Sequence, residues 1–301
     1  MEPIEPSTNS EHIKPSPEHD EELAPIEEAM LTEVVVPIDG VTIAEDLPAL
    51  LLCNNCQQPV AEADRFCSNC GTVRVIAAES YSEDNFMAEA KPVAAFYFII
   101  LLICIGVKLI DDLNQYKYMF WVEVTIAIFT FVFAGSRWHQ IAPLYSLRGI
   151  KPKLMLGYSA IAVVFSLLVG WGADYINAEL FKSEAVYILP YLSYPFTAVV
   201  FLFSIAVYPA IVEELGFRGY VFNVVRKLGG TNSAIFISSV TFAIMHLNII
   251  GLIWLVPFAL WLGYLRYKHE TLWYGMVIHF MFNATTAVIE MIDYGVAPFD
   301  F

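Results

Sequence analysis

A chain of 301 residues that is 57% hydrophobic and 16% charged, with a mean hydropathy of +0.58, is not an ordinary soluble enzyme. Soluble domains carry about 25% charged residues. The net charge of −15 is also unevenly spread: residues 1–90 hold 19 Asp/Glu against 3 Lys/Arg, whereas 91–301 hold 12 against 13. An acidic soluble arm therefore precedes a nearly neutral apolar body, and a nucleic-acid partner is expected of neither.

Residues 1–50 are expected to be a disordered acidic tail. The first thirty are rich in Glu, Pro, Ser and His, and such a stretch buries too little apolar surface to offset its ordering entropy. It lacks the basic and apolar regions of a signal peptide, and a plain spacer is the favoured reading. A short strand over Val34–Val36 and Val41–Ile43 is the only local structure suggested.

Four of the five cysteines then fall as Cys53-x-x-Cys56, a ten-residue gap, and Cys67-x-x-Cys70-Gly71. Each pair offers two thiolates from one tight turn, and two such turns complete a tetrahedral zinc shell with no open position. Asn54, Asn55, Ser68 and Asn69 suit the turns, and Gly71 can take a positive φ after the second. The pattern resembles the small zinc ribbons attached to many prokaryotic membrane proteins, so 51–75 reads as a structural zinc site and 76–91 as a linker. Disulfides or redox pairs are the competing reading. Cys104 lies in an apolar run and is expected to be a buried small hydrophobe.

Residues 92–301 form the expected membrane domain. Apolar stretches of spanning length lie near 93–109, 118–134, 154–172, 196–222, 233–248, 250–265 and 271–292. The fold class is thus an all-α polytopic membrane protein of about seven transmembrane helices behind a zinc ribbon and a disordered tail. Residues 178–192 suggest a short interfacial helix. No internal repeat is evident. With the first helix starting in the cytosol, nine basic residues, including Arg226, Lys227, Arg266 and Lys268, face that side. Lys108, Lys117 and Lys182 face the other. The positive-inside rule then puts the N-terminus in the cytosol, where zinc thiols stay reduced. The plasma membrane of a prokaryote is the expected location.

Glu123, Asp174 and Glu179 fall near the outer interface. A second polar group lies deep: Glu213, Glu214 and Arg218 on the fourth helix, His246 on the fifth, His279 and Asn283 on the seventh. Ionisable groups inside a bilayer are functional candidates by default. Glu213, His246 and Asn283 are each 12 or 13 residues from the expected cytosolic helix ends, or about 18–20 Å at an α-helical rise. Glu214 and Arg218 have the favourable i,i+4 order for an ion pair, which makes them the brace and Glu213 the working acid. Pro209 is expected to kink the helix one turn earlier. Phe242, Phe280 and Phe282 read as packing residues, and Gly216 and Gly219 as points of close helix approach.

Glu213-Glu214-x-x-x-Arg218, Phe242-x-x-x-His246 and His279-x-x-x-Asn283 resemble, in order, the three motifs of the CPBP family. That family groups type II CAAX prenyl endopeptidases with Abi and bacteriocin-processing proteins. The likeness covers about residues 150–300 and implies an intramembrane peptidase open to the cytosol. It implies a membrane-embedded or lipidated peptide substrate, a water activated by Glu213 and His246, and an oxyanion met by His279 and Asn283.

The residue types suit that chemistry, because hydrolysis needs a base for water and donors where the oxyanion develops. A metalloprotease version would use Glu213, His246 and His279 as zinc ligands. The absence of an H-E-x-x-H pair favours the metal-free form. The alternative from another class is a non-proteolytic membrane protein whose polar cluster binds a ligand or serves as a scaffold.

Overall fold

The computed structural model describes residues 51–53, 55–60, 67–72, 83–110, 115–176, 179 and 186–297. The expected tail, its strand over Val34–Val36 and Val41–Ile43, and residues 178 and 180–185 of the expected 178–192 helix lie outside these residues. Within that last stretch, Leu189–Tyr191 is one turn of 3-10 helix. The linker is described only from Glu83.

Two-residue strands β1 (Leu51–Leu52) and β2 (Pro59–Val60) pair antiparallel and bring the first cysteine pair into a tight hairpin. The chain then forms α1 (Glu83–Leu109), α2 (Tyr116–Gly135), the single turn α3 (Trp138–Ile141) and α4 (Pro152–Ile176). Helix α1 starts ten residues before the expected apolar span. Its first turns are polar, so hydropathy cannot see them.

The next segment is interrupted twice by wide, π-helical turns. α5 (Thr197–Leu202) runs into a π segment at Phe203–Val207, then α6 (Tyr208–Glu213), a second π segment at Glu214–Val221, and α7 (Phe222–Met245). Pro209 accounts for the first interruption. It has no N–H for the Ile205 carbonyl and its ring crowds that oxygen, so the helix widens. The second π segment has no proline and starts at Glu214, directly after Glu213 at the end of α6. Gly230, at φ 82° and ψ 177°, breaks α7 in two, in the gap expected between the fourth and fifth spans. A residue with a side chain is strained at that φ.

Helices α8 (Leu252–His269) and α9 (Trp273–Asp293) complete the body. With the break at Gly230, seven long helical stretches stand among the described residues. Among the described residues five helices are long and apolar enough to cross a membrane, when Thr197–Met245 is taken as one across the break at Gly230. The composition is that of an integral membrane protein. Within their apolar windows 44% of residues are buried in Thr197–Met245 but only 11% in α1 and α2, so the helix with the acids is central. The outer faces carry Trp121, Leu156 and Trp171, all exposed, as a lipid solvent requires.

Close packing places the centre. A Cβ on Gly216 would stand 3.0 Å from the Phe96 ring of α1, so this glycine admits the aromatic that seals one side. On the opposite side α4 and α9 are tied by the Ser166 hydroxyl, which donates to the Phe282 carbonyl at 2.8 Å and meets Thr286 at 3.0 Å. Glu290 of α9 accepts N–H bonds from Tyr187 and Ile188, which fixes the loop before α5.

Candidate active site and metal centre

Glu214 and Arg218 are both fully buried, and Arg218 Nη1 donates to Glu214 Oε1 at 2.8 Å. Removing a charge from water costs several kcal/mol unless partners replace the water. Arg218 has two more: Nη2 donates to the Ala259 carbonyl of α8 at 3.2 Å, and the guanidinium lies 4.4 Å over the Phe242 ring. The pair takes the expected i,i+4 geometry, and Arg218 ties the central helix to Phe242 of α7 and to α8.

His279 of α9 stands between the two acids. Its Nδ1 is 3.2 Å from Glu214 Oε1 and its Nε2 is 3.8 Å from Glu213 Oε2. An ionised carboxylate only accepts, so Nδ1 carries the proton in that contact. The second separation is too long for a direct hydrogen bond and suits a bridging water. Glu213 Oε2 is itself a buried atom with no hydrogen-bond partner, although the side chain as a whole is 22% exposed. Glu213 is therefore desolvated at one oxygen while its side chain stays partly open.

Phe242 organises the rest. Its ring packs 4.9 Å from His246, 5.8 Å from His279 and 5.5 Å from Phe217. His246 ends α7, and its Nδ1 is 3.0 Å from the Phe242 carbonyl, an acceptor, so Nδ1 donates and Nε2 remains available. Phe258 of α8 seals the other face of His279 at 5.7 Å and stacks on Phe282 at 4.4 Å.

Asn283 Nδ2 donates to the Ile205 carbonyl at 2.9 Å, the oxygen that Pro209 leaves without its α-helical donor. A carboxamide nitrogen carries two N–H groups, so one remains. Glu123, expected near the outer interface, is half-buried against the first π segment. Ser204 donates to its carboxylate at 3.3 Å and Tyr208 to its carbonyl at 2.6 Å.

Two residues of this region carry no sequence signal. Gly275, one turn before His279 on α9, has a position where a Cβ would run into Glu214 Oε2; only glycine admits the carboxylate. Arg266, counted above among cytosolic loop charges, is turned inward and is 3% exposed.

The four cysteines form the second centre. Their sulfurs lie within 4.8 Å of one another, with Cys53–Cys70 at 3.6 Å and Cys56–Cys67 at 3.4 Å, and none is in a disulfide. Thiolates about 2.3 Å from a tetrahedral zinc stand about 3.8 Å apart, so the set fits that ion. Asn55 N–H points at Cys53 Sγ at 3.4 Å. Gln57 and Gly71, each following the second cysteine of its pair, have φ of 57° and 73°. The Thr72 hydroxyl beside Cys70 brings that thiol down to about 6, whereas burial pushes Cys67 up to about 11. Among the described residues this is the one group of three or more His, Cys, Asp or Glu side chains that converges at metal-binding distance.

Residues 195–285 match the family model described as Type II CAAX prenyl endopeptidase Rce1-like. The matched stretch holds all six polar residues of the buried site and leaves out the ribbon, α1, α2 and α4. No curated protein and no solved structure matches the chain.

Proposed function

We propose that the protein is a CAAX-protease-like intramembrane endopeptidase that hydrolyses a membrane-embedded or lipidated peptide without a catalytic metal. The observation that carries this reading is His279 set between Glu213 and Glu214, at 3.8 and 3.2 Å, inside the stretch that matches a peptidase family.

In this mechanism a water donates one proton toward Glu213 Oε2 and the other to His279 Nε2 or His246 Nε2, both unprotonated acceptors. Its oxygen attacks the scissile carbonyl carbon while Glu213 takes its proton. Arg218 holds Glu214 Oε1, Glu214 accepts from His279 Nδ1, and that tautomer leaves Nε2 to receive the water. The free N–H of Asn283 meets the oxyanion; His279, which the resemblance assigns to the same task, has its one proton on Nδ1 toward Glu214 and holds the water instead. The C–N bond then breaks, and Glu213 returns the proton to the leaving amine. The scattering of Glu213, His246 and His279, which do not converge as three ligands, supports the metal-free form over a zinc version. The four cysteines hold a structural zinc in the cytosol, consistent with the basic-residue bias and with free thiols. The site then opens to the cytosolic side of an integral membrane protein.

The test is cleavage of a farnesylated CAAX peptide by purified protein in nanodiscs. Glu213→Gln and His246→Ala are expected to abolish turnover, and undiminished turnover in either removes that residue from the mechanism. If the wild type cleaves no peptide while the polar cluster binds a membrane ligand, the non-proteolytic alternative replaces this reading.

A further inference from the structure

We propose that Arg266 is a positioning residue whose guanidinium fork holds the end of the second wide turn and so keeps Glu213 and Glu214 in register with His279. The inference rests on the peptidase reading of the site and concerns what keeps that site in shape.

Where a five-residue helical repeat tightens back to four, one carbonyl loses its N–H partner. The π segment Glu214–Val221 ends against α7 in this way. Arg266 Nε, from α8, donates to the Arg218 carbonyl inside the segment at 3.2 Å. Its Nη2 donates to Asn223 Oδ1, just beyond the junction, at 2.9 Å. The fork therefore straddles the place where the repeat changes, with the guanidinium 5.2 Å over the ring of Phe222. Two donors in fixed relation can do this; a lysine ammonium is a single point.

The setting argues against simple packing. Arg266 is 3% exposed and makes no ion pair with a described carboxylate, and its Nη1 has no hydrogen-bond partner. A buried cation so incompletely matched is costly to folding. The residue it grips is the one whose side chain clamps Glu214 at 2.8 Å, so a shift of the Arg218 backbone moves the carboxylate. Misplacement of about 1 Å in such a site costs about 100-fold in rate.

The experiment uses the full chain in nanodiscs with Arg266→Met, Arg266→Lys, and Leu262→Ala as a packing control on the same helix. Hydrogen exchange of amides 214–222 is followed by mass spectrometry, and kcat and KM are measured on a farnesylated CAAX peptide. Both Arg266 variants are expected to raise exchange at 214–222 about tenfold over the neighbouring helices. Both are also expected to lower kcat by about 10- to 100-fold, with KM within about twofold. Leu262→Ala is expected to lower Tm but leave exchange at 214–222 and kcat near wild type.

Three results overturn the proposal: unchanged exchange at 214–222, a uniform rise across α7–α9 with kcat tracking Tm, or Arg266→Lys behaving as wild type. If Arg266→Met does not accumulate folded, Arg266→Lys decides alone. If the wild type cleaves no peptide, the peptidase reading falls, and the exchange pattern alone decides the role of Arg266.

Discussion

The Asn283 carboxamide donates to the carbonyl of Ile205, 2.9 Å away, and Pro209, four residues on, has no N–H to offer that carbonyl. One helix thus repairs the backbone of another at the depth of the site. Pro209→Ala restores the missing N–H and makes the repair unnecessary. A double-mutant cycle of Pro209→Ala with Asn283→Ala should therefore show a coupling of about 1 kcal/mol in unfolding free energy. Additive effects would mean that Asn283 does not serve this carbonyl.

Gly275→Ala drives a methyl into Glu214 Oε2, whereas Gly216→Ala meets the tip of the Phe96 ring at 3.0 Å and the Thr130 methyl at 3.4 Å. The carboxylate is held by Arg218 and His279 and has little freedom to move, so the first change should be the more damaging. Thermal unfolding in detergent and peptide turnover are expected to drop for Gly275→Ala and to change little for Gly216→Ala. Equal losses would show that Glu214 can swing aside.

Glu214 and Arg218 leave no room for half measures. Either single change, Glu214→Leu or Arg218→Met, strands a charge at a fully buried position and should cost about 3–5 kcal/mol of stability. The double replacement should cost less than the sum, because no charge is left behind. Denaturation of the three variants checks this, and full additivity would indicate that the charges are solvated separately.

Zinc should bind at one ion per chain and be lost in Cys67→Ser, as read by metal analysis of the purified protein. With Cys70 near 6 and Cys67 near 11, loading at neutral pH displaces a proton from the buried thiol and little from the Thr72-bonded one. Affinity should therefore fall as the pH drops, and more steeply below about pH 6, where Cys70 also protonates. An affinity unchanged between pH 5 and pH 8, ~3 units that cross the lower value, would contradict thiolate ligation.

What could be read from the sequence was what depends on spacing along one element. Cys53, Cys56, Cys67 and Cys70, the i,i+4 relation of Glu214 and Arg218, and the break between the fourth and fifth spans are of that kind. What could not be read depends on where a side chain turns after the helices meet. Arg266 belongs by position with Lys268 at a helix end, and nothing in the string says that one points out and the other in. Gly275 has no pattern of its own, because its reason is a carboxylate 61 positions away on another helix. Pro209 announces one wide turn, but the second arises among Leu215, Phe217 and Tyr220, ordinary helix residues. Asn283 could be found by its motif, yet its bond to Ile205 follows from packing alone.

The second wide turn also separates two tasks that a uniform helix would fuse. In an unbroken α-helix every residue's direction is fixed by its number, so turning Glu213 toward a cavity would dictate where Phe222, Val224 and Val225 point. A turn that accommodates one extra residue resets that phase. The acids can then be aimed by the chemistry, while Phe222, Val224 and Val225, all buried, are aimed by the core. A one-residue deletion within 219–221 would join the two phases again. It would leave the composition of the site intact and rotate one half of it by about 100°.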